Sequence, residues 1–223
     1  MPWGMLAEKL CASQESSESH TAVAEALAYG SGGSDGEDAV EPPREIWWAS
    51  LLKQHTEALG FSVPERLEPL RLVSACSGAC AEAVALKELG IPFVCEGTSE
   101  INEDFRTFQL ANTPGIRHQH ISLADQLEGK SCALHPQSPC CCVTQSPECL
   151  VVGAPCNPFS VMRPKRFHEN SVMQHRQTAL SFGGVLDLLK KFGPVTMIVE
   201  TTDGLLSPFD KNTEDSPYKM LLG

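Results

Sequence analysis

The sequence lacks any run of about 18 apolar residues, the length that a helix needs to cross a bilayer. The first residues also lack a compact apolar segment followed by a small-residue cleavage site, which a secretory signal requires. Positive charge is scarce, since 17 Lys and Arg residues stand against 28 Asp and Glu residues, for a formal net charge of -11. These absences predict a protein without a membrane span that stays inside the cell.

Most of the negative charge lies in one segment. Residues 1–43 hold eight acidic residues against one basic residue, Lys9, and they are rich in Ser and Gly. Such a segment has too little apolar content to offset the entropy of ordering a chain, so we predict a disordered acidic tail. The rest of the chain is only weakly acidic, which leaves nucleic acid open as a partner.

Ten cysteines are present, and without a secretory signal we expect reduced thiols that are available for chemistry. Several fall in residues 131–148, a stretch rich in Pro, Ser and Cys that predicts an inserted surface loop. A zinc-binding module in this stretch stays open as an alternative, although adjacent cysteines do not match the paired C-x-x-C spacing of zinc sites. Its ligands would come from Cys132, His135, Cys140, Cys141, Cys142 and Cys149.

A repeating pattern of strands and helices begins at residue 70. Before it, apolar residues at helical spacing over residues 44–59 predict a covering helix, which a linker to residue 69 follows. Beyond it, short apolar runs alternate with helical segments, which is typical of a parallel sheet with crossover helices. The pattern predicts an α/β fold with helices on both faces of the sheet. Strands are expected over residues 70–76, 92–95, 150–153 and 195–200, and helices over residues 80–89, 103–111 and 172–192.

Two short loops follow the first pair of strands, and parallel sheets bind ligands beyond the carboxyl ends of their strands. Residues 75–80 form a turn of small residues that includes Ser77 and Gly78, whose backbone N–H groups a ligand can approach closely. Glu100 stands about 20 residues further on, the spacing of a carboxylate that accepts hydrogen bonds from ribose hydroxyls. Asn102 would equally suit the start of a helix, so a capping role stays open for this turn.

A cysteine between two prolines follows the next buried strand. Cys156 lies in the run Pro-Cys-Asn-Pro-Phe-Ser over residues 155–160, which predicts a rigid turn. A nucleophilic cysteine needs surroundings that favour the thiolate, such as backbone donors or nearby cations. Three cations follow closely, at Arg163, Lys165 and Arg166. A purely structural turn is the alternative when this run is taken alone.

The last predicted strand ends at Glu200, with Gly204 in the turn behind it. A carboxyl group that leaves the core in a partly buried position can have a raised pKa and donate a proton. Many acids at strand ends cap the next helix instead, so both roles stay open for Glu200.

Taken in order, these four places resemble the cytosine-5 DNA methyltransferases, and the resemblance spans residues 70–223. It implies a Rossmann-like fold that binds S-adenosylmethionine, and a nuclear protein whose partner is DNA. The matched motifs are the glycine loop at Ser77 and Gly78, the acidic motif at residues 99–102, the nucleophile loop at residues 155–160, and the glutamate motif at Glu200 and residues 204–206.

The resemblance also implies a reaction and a role for each matched residue. The Cys156 thiolate would add to carbon 6 of a cytosine flipped out of the helix, while Glu200 holds the ring at N3. Carbon 5 could then take the methyl group, and no metal is needed. The residues implied to line the cofactor are Ser77, Gly78, Glu100, Ile101, Ile121 and Pro155. Those implied to contact DNA are Ser160, Arg163, Lys165 and Arg166, on a mobile loop whose cations neutralise phosphates.

The sequence departs from the family pattern at several positions. Cys76 stands where the family usually has phenylalanine, His120 where it has the aspartate that meets the adenine amine, and Thr201 where it has asparagine. The chain also ends at Gly223, before the target-recognition region, so we expect a fragment, a truncated product or a half that needs a partner. Two alternatives stay open: a silent methyltransferase-like scaffold, and a relative that methylates tRNA cytosine in the cytoplasm.

Overall fold

The computed structural model of the chain describes residues 46–61, 68–138 and 146–222. The chain divides into one unit over Met1–Ile46 and a second over Trp47–Gly223, to which the sheet belongs. The predicted acidic tail, residues 1–43, lies outside the described residues, as do residues 139–145 of the predicted loop insertion. Within the described ranges, no helix has the length and apolar character that crossing a membrane requires.

Five parallel strands of the described residues form one sheet. They are β1 (Leu70–Ala75), β2 (Phe93–Ser99), β3 (Gln119–His120), β4 (Cys149–Val152) and β5 (Thr196–Val199). The strand order is β3-β2-β1-β4-β5, and every neighbouring pair is parallel. Since β2 and β3 lie on one side of β1 while β4 and β5 lie on the other, the direction of winding reverses beside β1. Open α/β sheets bind ligands at such a switch point.

Helices flank the sheet, and side chains cap two of them. Asn102 accepts hydrogen bonds from two backbone N–H groups at the start of α3, and Ser122 accepts one at the start of α4. The predicted α/β fold is therefore confirmed. The helices are α1 (Trp47–Ala58), α2 (Ala81–Glu88), α3 (Glu103–Asn112), α4 (Leu123–Glu128), α5 (Gly184–Phe192) and α6 (Pro217–Leu222), with a π-helical turn at Ala179–Gly183 and a 3-10 turn at Asp203–Leu205.

The core has one layer on each face of the sheet. Successive side chains of a strand point to opposite faces, so Leu72 and Val73 of β1 enter different layers. The layer around Val73 includes side chains of α4 and α5, while the layer around Leu72 includes Cys80 and Ala83 at the start of α2. Burial of both faces explains why β4 is a continuous apolar run and why β1 is apolar except at Arg71 and Ser74.

The helix predicted over residues 172–192 is wrong in its first part. Residues 171–177 form turns, and the helical segment begins only after them. A local bond explains the difference, because the Thr178 hydroxyl donates to the Val172 carbonyl and so competes with a regular helical pattern. Val172 also packs in a small apolar cluster with Phe159. This contact holds the segment against residues 153–160, which follow β4 and are named the Cys156 loop.

The first helix and two strands differ in detail from the prediction. α1 lies within the predicted range. Its Ala49 is buried whereas Leu51, Leu52 and Leu59 are exposed, and its covering role stays a prediction. β2 extends to Ser99, beyond the predicted strand over residues 92–95. β3 was missed because two residues are too short to show any periodicity.

Candidate active site at one edge of the sheet

The loops that carry the four predicted motifs all follow the carboxyl ends of strands. Strand register aligns these ends, because Ala75 at the end of β1 pairs with Val152 of β4, and Val152 pairs with Val199 of β5. The loops after β1 and β4 therefore emerge side by side, and the loop after β5 emerges next to the loop after β4. The structure brings all four places to one edge of the sheet.

Glu100 links the loop after β1 to the turn after β2. Its carboxylate accepts hydrogen bonds from the backbone N–H groups of Gly78 and Asn102, each at 2.8 Å. Gly78 has a φ of 49°, in the left-handed region that favours glycine. Asn102 caps α3, so the capping alternative is correct for that residue, whereas Glu100 joins two loops. Each carboxylate oxygen of Glu100 has a further lone pair with which it could accept a ribose hydroxyl.

A buried hydroxyl and a buried amide fix the ends of β1 and β2. The Ser99 hydroxyl donates to the Gln126 side chain at 2.7 Å, and the Gln126 amide donates to the Ser74 carbonyl at 3.1 Å. The Ser77 N–H donates to the Ser99 carbonyl at 3.0 Å. Sequence reasoning missed Gln126. The available signal was its position one turn after Leu123 on the apolar side of a short helix.

A second buried amide, that of Gln109, also holds residues 75–80, which are named the Gly78 loop. The Gln109 amide of α3 donates to the Gly78 carbonyl at 2.6 Å, and its oxygen accepts from the Thr98 hydroxyl at 3.0 Å and from the Gln119 amide at 3.1 Å. Gln109 and Thr98 are fully buried. The Gly78 loop is therefore positioned by bonds from α3, from the end of β2 and from Glu100.

The two cysteines of the Gly78 loop, Cys76 and Cys80, are poor nucleophiles. Burial, together with the negative charge of Glu100, raises the pKa of Cys76 from 9.0 to about 11. A hydrogen bond with Cys95, and then burial, raise the pKa of Cys80 as well. Because the thiolate is the reactive form of cysteine, both side chains stay neutral and unreactive at pH 7. Cys80 is buried and Cys76 is half-buried.

The ends of β2 and β3 present two exposed apolar side chains. Ser99 pairs with His120 in register, so Ile101 and Ile121 follow neighbouring strand ends. They are 79% and 51% exposed. His120 is fully buried, and burial followed by the neighbouring His118 lowers its pKa to about 4. His120 is thus neutral at pH 7 and lies inside the fold at the end of β3.

Hydrogen bonds on both sides of Cys156 hold its loop. The Ser181 hydroxyl donates to the Pro155 carbonyl. The N–H groups of Phe159 and Ser160 donate to the Cys156 carbonyl at 3.0 and 3.1 Å. The Cys156 side chain is half-buried and its thiol is free. The predicted turn is therefore present, with the thiol at a partly open position.

Two glycines let the neighbouring loops approach the Cys156 loop. A Cβ added at Gly153 would lie 3.1 Å from the Cys76 carbonyl oxygen, closer than ordinary contacts. A Cβ added at Gly204 would overlap the Phe159 carbonyl. The Cys156 loop therefore packs backbone to backbone against the loop after β1 and against the turn after β5.

Arg166 does not face solvent, and its predicted DNA-binding role is corrected. Its side chain is 1% exposed. The guanidinium donates to the carbonyls of Phe159 at 3.0 Å, Gly204 at 3.1 Å, Pro208 at 3.1 Å and Phe209 at 2.8 Å. With its donors engaged by the backbone, Arg166 cannot reach a phosphate in this structure. It joins the Cys156 loop to the turn after β5 instead.

The other three predicted DNA contacts differ in exposure. Arg163 is half-buried, and one of its terminal nitrogens donates to the Pro158 carbonyl at 3.1 Å and to the Ser171 hydroxyl at 2.9 Å. Ser160 is half-buried. Lys165 is exposed, with a φ of 61°. Of the three predicted cations, Lys165 is the one whose charge lies fully at the surface.

Glu200 follows the end of β5, as predicted, but its side chain is more exposed than we expected. Its N–H donates to the Val152 carbonyl at 2.9 Å, which continues the β4–β5 pairing. Its side chain is exposed, so the predicted partial burial is wrong. The Thr201 hydroxyl beside it is buried with no hydrogen-bond partner among the described residues. The Thr202 hydroxyl accepts the N–H of Gly204 and starts the 3-10 turn.

Comparison with protein-family models finds no match for this chain, and neither does comparison with curated proteins.

Proposed function

We propose that this chain transfers a methyl group from S-adenosylmethionine to carbon 5 of cytosine in DNA, through a covalent bond between Cys156 and the base. The observation that supports this most is the convergence of three loops at one edge of a parallel sheet. They carry a free half-buried thiol at Cys156, an exposed carboxylate at Glu200, and the Gly78 loop bonded to Glu100. The reaction needs a nucleophile, a group that holds the base and a nucleoside site beside them.

The ends of β1, β2 and β3 fit the nucleoside part of S-adenosylmethionine. Glu100 offers a carboxylate for ribose hydroxyls, and the space around Gly78 lets a ligand approach the backbone. The exposed side chains of Ile101 and Ile121 offer apolar surface for a purine ring. When bound, the cofactor supplies an electrophilic methyl group on a positively charged sulfur.

Cys156 and Glu200 would act on opposite parts of the cytosine ring. The Cys156 thiolate would form a bond from its sulfur to carbon 6, and the electron pair of the 5,6 double bond would move to carbon 5. Glu200 would hold N3 and the exocyclic amine and pass a proton from solvent to N3 as negative charge develops in the ring. Carbon 5 would then take the methyl group, with S-adenosylhomocysteine as the leaving group. Loss of the carbon 5 proton to water, departure of Cys156 as a thiolate and return of the N3 proton through Glu200 would restore the aromatic base.

Arg166 would act as a positioning residue for this pair. It bonds to Phe159, three residues after the nucleophile, and to Gly204, four residues after Glu200. The two loops that carry the proposed catalytic groups therefore share one buried cation. DNA contact is proposed for the exposed Lys165 and for Ser160, since a surface cation can neutralise a phosphate whereas Arg166 cannot.

One observation favours a second candidate, a methyltransferase-like scaffold without activity. The Glu200 carboxylate is exposed, and the adjacent Thr201 hydroxyl is buried without a hydrogen-bond partner among the described residues. A catalytic carboxylate is usually aimed by bonds to its neighbours, since a loosely held group loses much of its effect. The scaffold would keep the nucleoside site and lack the methyl transfer.

A methyl-transfer assay tests the proposal. The full chain would be incubated with S-adenosylmethionine carrying a labelled methyl group and with either duplex DNA or tRNA. We expect label on DNA cytosine, its loss in Cys156→Ala, and its retention in Cys149→Ala, which alters another half-buried free cysteine of the sheet. Label on tRNA alone would show that the substrate is tRNA and not DNA. No label from folded protein that binds the cofactor would contradict methyl transfer and favour the scaffold.

A further inference from the structure

Three potential metal ligands converge beside β3, the outer strand on the other side of the sheet from β5. His118 directly precedes β3, while Cys132 and His135 lie in the segment after α4. One nitrogen or sulfur atom of each lies within 4.8 Å of those of the other two. The Cys132 sulfur is 3.3 Å from Nδ1 of His135 and 3.9 Å from Nδ1 of His118. These three side chains are named the His-Cys-His cluster.

Backbone bonds explain why the His-Cys-His cluster forms. The His118 carbonyl accepts the N–H of Thr98, which fixes His118 against β2. The N–H of Ala133 donates to the Gln119 carbonyl at 2.7 Å, so the segment after α4 runs along β3. The N–H of His135 donates to the Cys132 carbonyl at 3.1 Å. This turn brings both side chains of a Cys-x-x-His pair to the same side.

Both sulfur–nitrogen spacings of the cluster lie near those of a tetrahedral zinc ion, and the two imidazole nitrogens lie within 4.8 Å of each other. With a Zn–S bond of about 2.3 Å and a Zn–N bond of about 2.0 Å, sulfur and nitrogen donors of a tetrahedron lie about 3.5 Å apart. The two sulfur–nitrogen distances of 3.3 and 3.9 Å lie on either side of that value. The His118 and His135 rings are 5.0 Å apart and tilted by 56°, so their nitrogens can face a common point without stacking.

The ligand types also favour zinc over a plain hydrogen-bonded cluster. A thiol is a weak donor and a weak acceptor, so thiol–imidazole contacts alone give little reason for three such groups to meet. One thiolate and two neutral imidazoles are ligands that zinc binds well in proteins. The Cys132 side chain is only 3% exposed, which shields a bound metal on one side.

We propose that the His-Cys-His cluster binds one zinc ion. Binding converts the Cys132 thiol to a thiolate and releases its proton to solvent. His135 is exposed, so the fourth coordination position is open to water. The ion would link residues 132–135 to the start of β3 and so hold the strand end from which Ile121 projects. Zinc binding does not depend on the proposed methyl transfer.

This site differs from the zinc module that the sequence left open. Cys132 and His135 belonged to that module, and they do converge. Cys149 does not join them, because it starts β4, which β1 and β2 separate from β3. The other cysteines of that module, Cys140, Cys141 and Cys142, lie outside the described residues. The ligand that sequence reasoning missed is His118, which comes 14 residues before Cys132.

Zinc titration of the full chain against a chromophoric chelator, after removal of metal, tests the site. We expect one zinc per chain and at least about 100-fold weaker binding in His135→Ala, since even partners of metal ligands cost 10- to 100-fold when lost. His135 is exposed, so this variant should fold. His135→Cys replaces one zinc ligand by another and should keep binding. His168→Ala, at another exposed histidine, and Cys149→Ser should bind zinc as the parent does.

Cobalt gives a second measurement that reports on the sulfur. A thiolate–cobalt bond produces a charge-transfer band in the near-ultraviolet, and we expect this band in the parent chain and its loss in Cys132→Ser. The proposal is overturned if the parent binds no stoichiometric zinc. It is also overturned if His135→Ala and Cys132→Ser, shown to be folded by circular dichroism, bind zinc as tightly as the parent, or if Cys149→Ser abolishes binding.

Discussion

The two halves of the carboxyl edge are held together in different ways. In the first half, after β1 and β2, buried neutral amides bond to nearby backbone: Gln109 donates to the Gly78 carbonyl and Gln126 to the Ser74 carbonyl. In the second half, after β4 and β5, one buried cation, Arg166, donates to four backbone carbonyls. The nucleoside side is thus held by several buried neutral groups, whereas on the nucleophile side one buried cation bonds to both loops.

This difference predicts how the stability of each half responds to the loss of a single side chain. Loss of one amide leaves a few polar atoms unsatisfied while the remaining bonds keep the loop in place. Loss of Arg166 leaves carbonyls from both loops without their donor at once, and residues 156–160 and 204–209 lose their common partner. Stability and activity should therefore be coupled more tightly in the nucleophile half. Substitutions in the two halves test this expectation.

The largest effect should come from Arg166→Ala. We expect the free energy of unfolding to fall by about 3 to 5 kcal/mol, because several charge-assisted bonds to buried carbonyls are lost together. Urea denaturation measures the change. Lys165→Ala is the control, since Lys165 is an exposed neighbour with the same charge, and it should stay within about 0.5 kcal/mol of the parent. Equal effects at both positions would contradict the role given to Arg166.

A second, smaller effect should come from Gly204→Ala. The new methyl group would overlap the Phe159 carbonyl, so the turn after β5 and the Cys156 loop must separate. We expect a loss of about 2 kcal/mol in unfolding free energy, the usual cost of overpacking. Gly183→Ala is the control, because a Cβ there meets nothing within 4 Å and its backbone is helical, so the variant should be neutral or more stable. A stable Gly204→Ala would show that the loops do not touch.

In the first half, Ser99→Ala should cost about 1 to 2 kcal/mol of unfolding free energy. The variant removes the donor to the Gln126 oxygen in a fully buried position, and it also removes the acceptor of the long Cys76 N–H bond. Thermal unfolding would show the difference. Thr107→Ala, which removes an exposed hydroxyl from α3, should show no loss. If Ser99→Ala cost more than Arg166→Ala, the comparison between the halves would be reversed.

The smallest effect concerns pH and Cys76. Its pKa is raised from 9.0 to about 11 in the folded chain, so the neutral thiol favours folding. That stability is complete below pH 9 and is lost as the pH rises through 11. Between pH 8 and pH 10, the parent should lose about 1 kcal/mol more unfolding free energy than Cys76→Ser, in which the titrating group is absent. Equal losses would show that Cys76 ionises normally in the folded state.

The positions of the loops could be predicted because strand periodicity is local. Apolar runs mark where β1, β4 and β5 end, and the parallel order places those ends at one edge. Gly78, Cys156 and Glu200 follow these ends within a few residues, whereas Glu100 follows β2, whose end was predicted four residues too early. The sequence therefore located three of the groups from strand ends, and it did not show that Glu100 bonds to Gly78.

The role of Arg166 could not be predicted, because its partners are distant in sequence. Beside Arg163 and Lys165, Arg166 has the spacing of cations on a surface loop. Its burial depends on residues 204–209, about 40 positions later, which fold back over it. The same limit applies to His118, since the Cys-x-x-His pair is visible in the sequence while the third ligand comes from another element.

The central claim is that Cys156 is a nucleophile toward cytosine, and trapping with duplex DNA that contains 5-fluorocytosine tests it most directly. The fluorine prevents the final elimination, so a covalent protein–DNA species should survive denaturation. With S-adenosylmethionine present, we predict this species for the parent chain and for Cys149→Ala, and its absence in Cys156→Ala. A folded parent chain that binds S-adenosylmethionine but forms no adduct, or an adduct that persists in Cys156→Ala, would contradict the claim.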